Sequence, residues 1–168
     1  MNNVITLNSP LFIDIPRKTK PPRRYILNKN NERNWHFQVN NKIKQLYKEQ
    51  VHKQLDDMGL QGFQFTKPIE VGMIYYKENN RKVDKSNVDA IHRKFMYDAL
   101  VHYGREEEHI PTGTFTDKGK ERVTINVIRH GLLADDNDDY IKKEIIHPTV
   151  YNKEEPCFKF YFKEVGDV

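Results

Sequence analysis

A single cysteine, Cys157, among 168 residues leaves no partner for an intramolecular disulfide and no thiolate set for a Cys-rich zinc site. No apolar run approaches the roughly 18–20 residues that cross a bilayer. The opening stretch "MNNVITLNSPLFIDIPRK" is broken by Asn, Ser, Pro and Asp before a signal-peptide core can form. These absences set the expectation of a soluble protein of a reducing cytoplasm, without membrane contact. The eight glycines build no phosphate-cradling loop, since "TGTFTDKGK" lacks the GxxxxGK[ST] spacing. The seven histidines include neither HExxH nor a His-x-His pair, which removes the usual histidine zinc sites. Cys157 falls in an apolar-rich strand pattern and reads as a packed thiol, not a nucleophile.

What the chain has in quantity is charge, 31 % Asp, Glu, Lys and Arg, with a mean hydropathy of −0.85. The 37 % of hydrophobic residues still suffices for one core, so residues 1–168 are expected to form a single domain. The charge is uneven. Residues 1–53 carry eleven Lys and Arg against Asp14, Glu32 and Glu49, a net +8 that leaves −4 for the remainder. A basic first third suggests a polyanion partner and an acidic remainder suggests a cation, although a merely solvated surface has the same composition.

"VITLNSPLFIDI" reads as one or two short strands, and the prolines of "PRKTKPPRRY" make a basic loop or arm of residues 16–24. Trp35, Val39, Ile43, Leu46, Val51 and Leu55 recur with helical period, and Gly59 and Gly62 close that helix. "FQFTKPIEVGMIYYK" (63–77) is strand-like. A second helix is expected from about Ser86, as N-cap, to Tyr103, burying Val88, Ile91, Phe95 and Ala99. "REEEHIPTGTFTDKGKE" reads as a charged loop and "RVTINVI" as a strand. "GLLADDNDDY" reads as a turn, and "YIKKEIIHPTV" and "CFKFYFKEV" as closing strands. The fold class expected is α+β, a mixed sheet with two main amphipathic helices packed on it.

At 100° per residue, Asn87, Lys94 and Asp98 fall within 20° of one line along the edge of the second helix's apolar stripe. Asp84 sits beside the positive end of that helix's dipole. Asp89 lies on the opposite side, where capping or solvent suits it. Ordinary capping and an i,i+4 pair account for these residues taken alone. The second acidic knot, "DDNDD" (135–139), offers Asp135, Asn137 and Asp139 to the first ligand positions of a calcium loop. Tyr140 then occupies the position that needs Gly and Ile146 the one that needs Glu, so an EF-hand is excluded. A solvated turn remains open. So does a magnesium site, which needs only a few carboxylates plus water and substrate phosphate.

The ordered set "RKVDKSN" (81–87), "KFMYDAL" (94–100) and "GLLADD" (131–136), downstream of "PPRRY", resembles the RusA family of Holliday junction resolvases, small phage and prophage endonucleases. The resemblance runs loosely over most of the chain. It implies a homodimer that binds four-way DNA junctions and cuts symmetric strands using Mg²⁺, with Mn²⁺ as a substitute. Carried over by position, Asp84 matches the first acid, Asp136 the last, and Lys94 the helix lysine that assists catalysis. Asp135 and Asp98 are helpers, and Asn87 or Asp98 is a candidate replacement ligand. The basic residues Arg17, Lys18, Lys20, Arg23, Arg24, Arg81 and Lys82 are expected to hold DNA phosphates. Three departures stand out. Ser86 occupies the place of the family's middle acid. Lys94 lies about one helical turn late, Ala90 being the ungapped match. An insertion at about 105–130 separates helix from acidic knot. The rival expectations are a branched-DNA-binding protein that has lost cleavage, and an acidic interaction protein with no DNA affinity.

Overall fold

A computed structural model describes residues 4–166 of the chain. Among the described residues the elements run β1 (Ile5–Ser9), β2 (Phe12–Ile15), β3 (Arg23–Ile26), α1 (Lys29–Glu32), α2 (Phe37–Asp57), β4 (Ile69–Lys77), α3 (Lys85–His102), β5 (Glu106–Phe115), β6 (Glu121–Arg129), β7 (Ile141–Ile146), β8 (Val150–Tyr151) and β9 (Cys157–Glu164). The fold is α+β, as the sequence leads one to expect: a five-stranded mixed sheet with helices on one face.

Alternation builds the sheet. In β9, Phe158, Phe160 and Phe162 point inward and are fully buried, while Lys159, Tyr161 and Lys163 face the other side. Ile69, Val71 and Met73 do the same from β4, and Ile5, Leu7 and Ser9 from β1. The strand order is β1-β9-β4-β7, with β8 pairing the far end of β4. Strand β9 is antiparallel to both its neighbours, whereas β7 is parallel to β4. Two parallel neighbours need a crossover, and α3 supplies it. On the covered face α2 packs along α3, with the Tyr47 ring 5.4 Å edge-on from Phe95. His52 Nε2 lies 2.7 Å from the Ala99 carbonyl, and Tyr103 donates to Asp56 Oδ1 at 2.7 Å.

The second helix buries Val88, Ile91, Phe95 and Ala99 as its period requires. It also buries Asp89, expected toward solvent, because α3 is enclosed on more than one flank. Its N-cap is Asp84, not Ser86: the Asp84 carboxylate accepts the Ser86 backbone N–H. Strand β4 begins only at Ile69, since Phe65 is already committed through its N–H to the Leu132 carbonyl. Of the basic segment, residues 16–22 form the expected loop, while Arg23–Ile26 pair with β2, their prolines lying just outside the ladder. The stretch expected as a charged loop after α3 is instead β5, which folds with β6 into a two-stranded ribbon; every residue of β5 is exposed. With little buried alternation to betray it, such a strand looks like a loop in sequence.

Candidate active site

The β4–α3–β7 crossover fixes where each acidic residue lies. Helix α3 runs back against the two strands it joins, so its start lies by the end of β7 and its end by the beginning of β7. Lys85 Nζ donates to the His147 carbonyl at 2.9 Å at one end. At the other end, the Leu133 N–H reaches the Leu100 carbonyl, and Gly131 is pressed so close to the Val101 carbonyl that a Cβ would sit 2.1 Å from its oxygen. Only glycine fits there, and that contact aims the following acidic knot at the C-terminal end of α3.

Asp84 therefore stands at one end of the helix and Asp136 at the other. Fourteen residues at 1.5 Å each place Asp84 about 21 Å along the axis from Asp98, beside which Asp136 lies. Within one chain the structure does not bring Asp84 and Asp136 together. Asp84 is engaged locally: Ser86 Oγ donates to its Oδ1 at 2.6 Å and Asn87 Nδ2 to its Oδ2 at 2.9 Å. The Ser86 hydroxyl chiefly, opposed by burial and helped by the Ser86 and Asn87 backbone N–H groups, holds the Asp84 carboxyl below its usual range. Asn87 is thus a partner of Asp84 and stays at that end. Lys94 is exposed midway along α3, and Asn87 and Asp98 are half-buried on the same strip, as their angular positions require.

Asp135 and Asp136 adjoin in the turn, with Asp98 near enough to act weakly on Asp136. Partial burial first, then the neighbouring Asp135 carboxyl and, more weakly, Asp98, raise the Asp136 carboxyl above the ordinary range. Asp135 shapes the turn, accepting the Asp136 N–H at 2.8 Å and Asn137 Nδ2 at 3.0 Å. A shallow cleft of about 380 Å³ opens here, bounded by Asp136, Asp138, Glu144, Lys142 and Lys143. Glu144 accepts from Tyr97 Oη at 2.6 Å and pairs with Arg93 at 3.0 Å. No motif or periodicity singles out Glu144 or Tyr97, whose meeting depends on β7 lying beside α3.

Among the described residues, no three His, Cys, Asp or Glu side chains form a ready-made metal cage. Magnesium does not require one, because it keeps several waters and binds through one or two carboxylates plus phosphate. The adjacent Asp135 and Asp136, with Asp98 at their edge, fit that demand. The Asp84 end, with a single carboxylate already holding two donors, fits it less well.

The basic residues divide into two groups. Arg17, Lys18, Lys20, Arg23 and Arg24 are exposed on the β2–β3 hairpin and its loop. Arg24 is partly spoken for: it grips Asp14 with two 3.0 Å bonds and lies 3.6 Å over the Phe12 ring. Arg81 and Lys82 are exposed on the loop before α3, at the Asp84 end. No protein-family model matches the chain, and no curated protein matches it.

Proposed function

We propose that this protein is a Mg²⁺-dependent, structure-selective DNA endonuclease acting on four-way junctions or related branched DNA. The observation that supports it best is the adjacent pair Asp135 and Asp136 at the acidic cleft by the C-terminal end of α3, with Asp98 near enough to act weakly on Asp136. Adjacent carboxylates, one of them held from ionising first by burial and then by its neighbour, are a receptive place for a divalent cation. Asp135 and Asp136 would hold the metal, which when bound supplies charge neutralisation at the scissile phosphate and a more acidic attacking water. Lys94, one helical turn from Asp98, is placed to meet charge on a phosphate oxygen. The hairpin loop and the Arg81–Lys82 segment bind phosphates without reading bases, so affinity falls steeply with salt.

Asp84 enters this reading through a second copy. In a two-fold homodimer with α3 helices antiparallel, the Asp84 end of one chain meets the Asp136 end of its partner, and each active site draws acids from both. The separation of the two ends within a chain also favours a second reading, a branched-DNA-binding protein without cleavage. An end-labelled four-way junction and a matched duplex, incubated with Mg²⁺ or with EDTA, test between them. Symmetric junction cuts that vanish in EDTA and in Asp136→Asn support the nuclease. Tight, salt-sensitive binding with no product in Mg²⁺ or Mn²⁺ supports the binder and overturns the nuclease.

A further inference from the structure

A cavity of about 850 Å³ lies away from the acidic cleft, at the opposite end of α3. It opens between the β2–β3 hairpin, the end of β4, the loop carrying Arg81 and Lys82, and the first two turns of α3. Its volume falls within the roughly 300–1,000 Å³ of pockets that take small molecules and cofactors. The floor and walls are apolar and aromatic, with Leu11, Leu27, Tyr75 and Val88. His92, also in the wall, adds no charge, since burial keeps its imidazole neutral. Lys77, Arg81 and Lys82 stand around the opening. Of the two acids there, Asp14 is neutralised by Arg24, which leaves Glu78 against three cations. Lys77 Nζ also donates to the Arg81 carbonyl at 3.2 Å, and the Arg81 N–H to Asn79 Oδ1 at 3.0 Å, so the loop is held in place and the opening is preformed.

An apolar, aromatic interior behind a cationic opening matches a nucleotide: a flat base to shelter and a phosphate on either side to neutralise. We propose that this cavity takes an unpaired nucleobase of a DNA strand, with Tyr75 and Val88 against the base and Lys77, Arg81 and Lys82 on the flanking phosphates. The inference rests on reading the chain as a DNA-acting protein, and gives it a means of telling branched from continuous DNA. A duplex has no base free to enter, whereas a branch point or single-stranded end does. The basic hairpin loop continues from the cavity's edge and would carry the strand onward.

Methyl NMR on the full chain tests this, with three probes: a short oligothymidylate, a duplex of equal length and inorganic phosphate. The oligothymidylate should shift the Leu11, Leu27, Val83 and Val88 methyls saturably, while duplex and phosphate leave them in place. Val83→Trp, which fills the opening from an exposed loop position, should weaken oligothymidylate binding by about tenfold, within the range of one base–aromatic contact. Duplex binding by that variant should stay within about twofold, a surface change of this kind leaving the fold intact. Oligothymidylate binding without shifts at those methyls, no binding at all, or undiminished binding by Val83→Trp would each overturn the proposal. Cleavage of junctions in the same preparation reads the nuclease separately, so either idea can fail without the other.

Discussion

His92 is the residue whose environment makes the firmest prediction. It is fully buried, its ring stacked 4.6 Å from Phe158, with Nδ1 at 2.5 Å from Ser9 Oγ, which in turn meets the Tyr47 hydroxyl. Nε2 has no hydrogen-bond partner of normal geometry. Burial pushes the imidazole down to about 3, only weakly opposed by the Leu27 carbonyl. The unfolded chain takes up this proton as pH falls below about 6.5, whereas the folded chain resists until about 3. The stability this neutral histidine contributes is therefore complete above pH 6.5 and drains away as pH falls, by up to about 1.4 kcal/mol per pH unit. Urea unfolding between pH 6.5 and 4.5, compared with His92→Phe, reads it directly. The variant should have a flatter pH dependence, and equal slopes would contradict the assignment.

Among the elements, the β5–β6 ribbon stands apart, because it is built almost wholly from exposed residues and its ladder is its main set of contacts. A two-stranded ribbon in water is marginal on its own, so it adds little to the body. Replacing residues 107–128 with Gly-Gly joins chain ends already held close by the Glu106–Arg129 pairing and keeps Arg129. Denaturant unfolding of this deletion should change stability by no more than about 1 kcal/mol. A larger loss would mean that the ribbon is part of the core.

Elements with a buried face were legible in the sequence; of the exposed ribbon, β6 was legible through the β-branched residues of "RVTINVI", and β5 was not. The Phe158, Phe160 and Phe162 alternation and the Val88, Ile91, Phe95 and Ala99 period both reported real packing surfaces. The ribbon has no such face, and its first strand passed for a loop. The candidate site was legible in its parts: Asn87, Lys94 and Asp98 share a strip, and Asp98 lies near enough to Asp136 to act weakly on its carboxyl. What could not be read was distance. Which end of α3 each acid occupies follows from β7 being parallel to β4, a long-range pairing that local periodicity does not encode.

At the scale of the whole molecule, that topology lets Asp84 join the proposed nuclease site only if two chains cooperate. One chain presents Asp84, the cap of α3, near a basic-edged cavity and, about 21 Å along the same helix, the Asp135–Asp136 pair. In the proposed dimer a two-fold partner would complete both ends at once, and a four-way junction with symmetric strands to cut is the substrate such an assembly would suit. The most direct test mixes two variants, Asp84→Asn and Asp136→Asn, after unfolding and joint refolding; asparagine still caps a helix, so the first retains its fold. Each variant alone should fail to cleave a labelled junction in Mg²⁺. In the mixture, half of the dimers are hybrids in which one site carries both changes and the other neither, so intact sites return to roughly a quarter of the wild-type number, visible as single-strand nicks. Full activity of Asp84→Asn alone, or a mixture as inactive as its components, would contradict an active site shared between two chains.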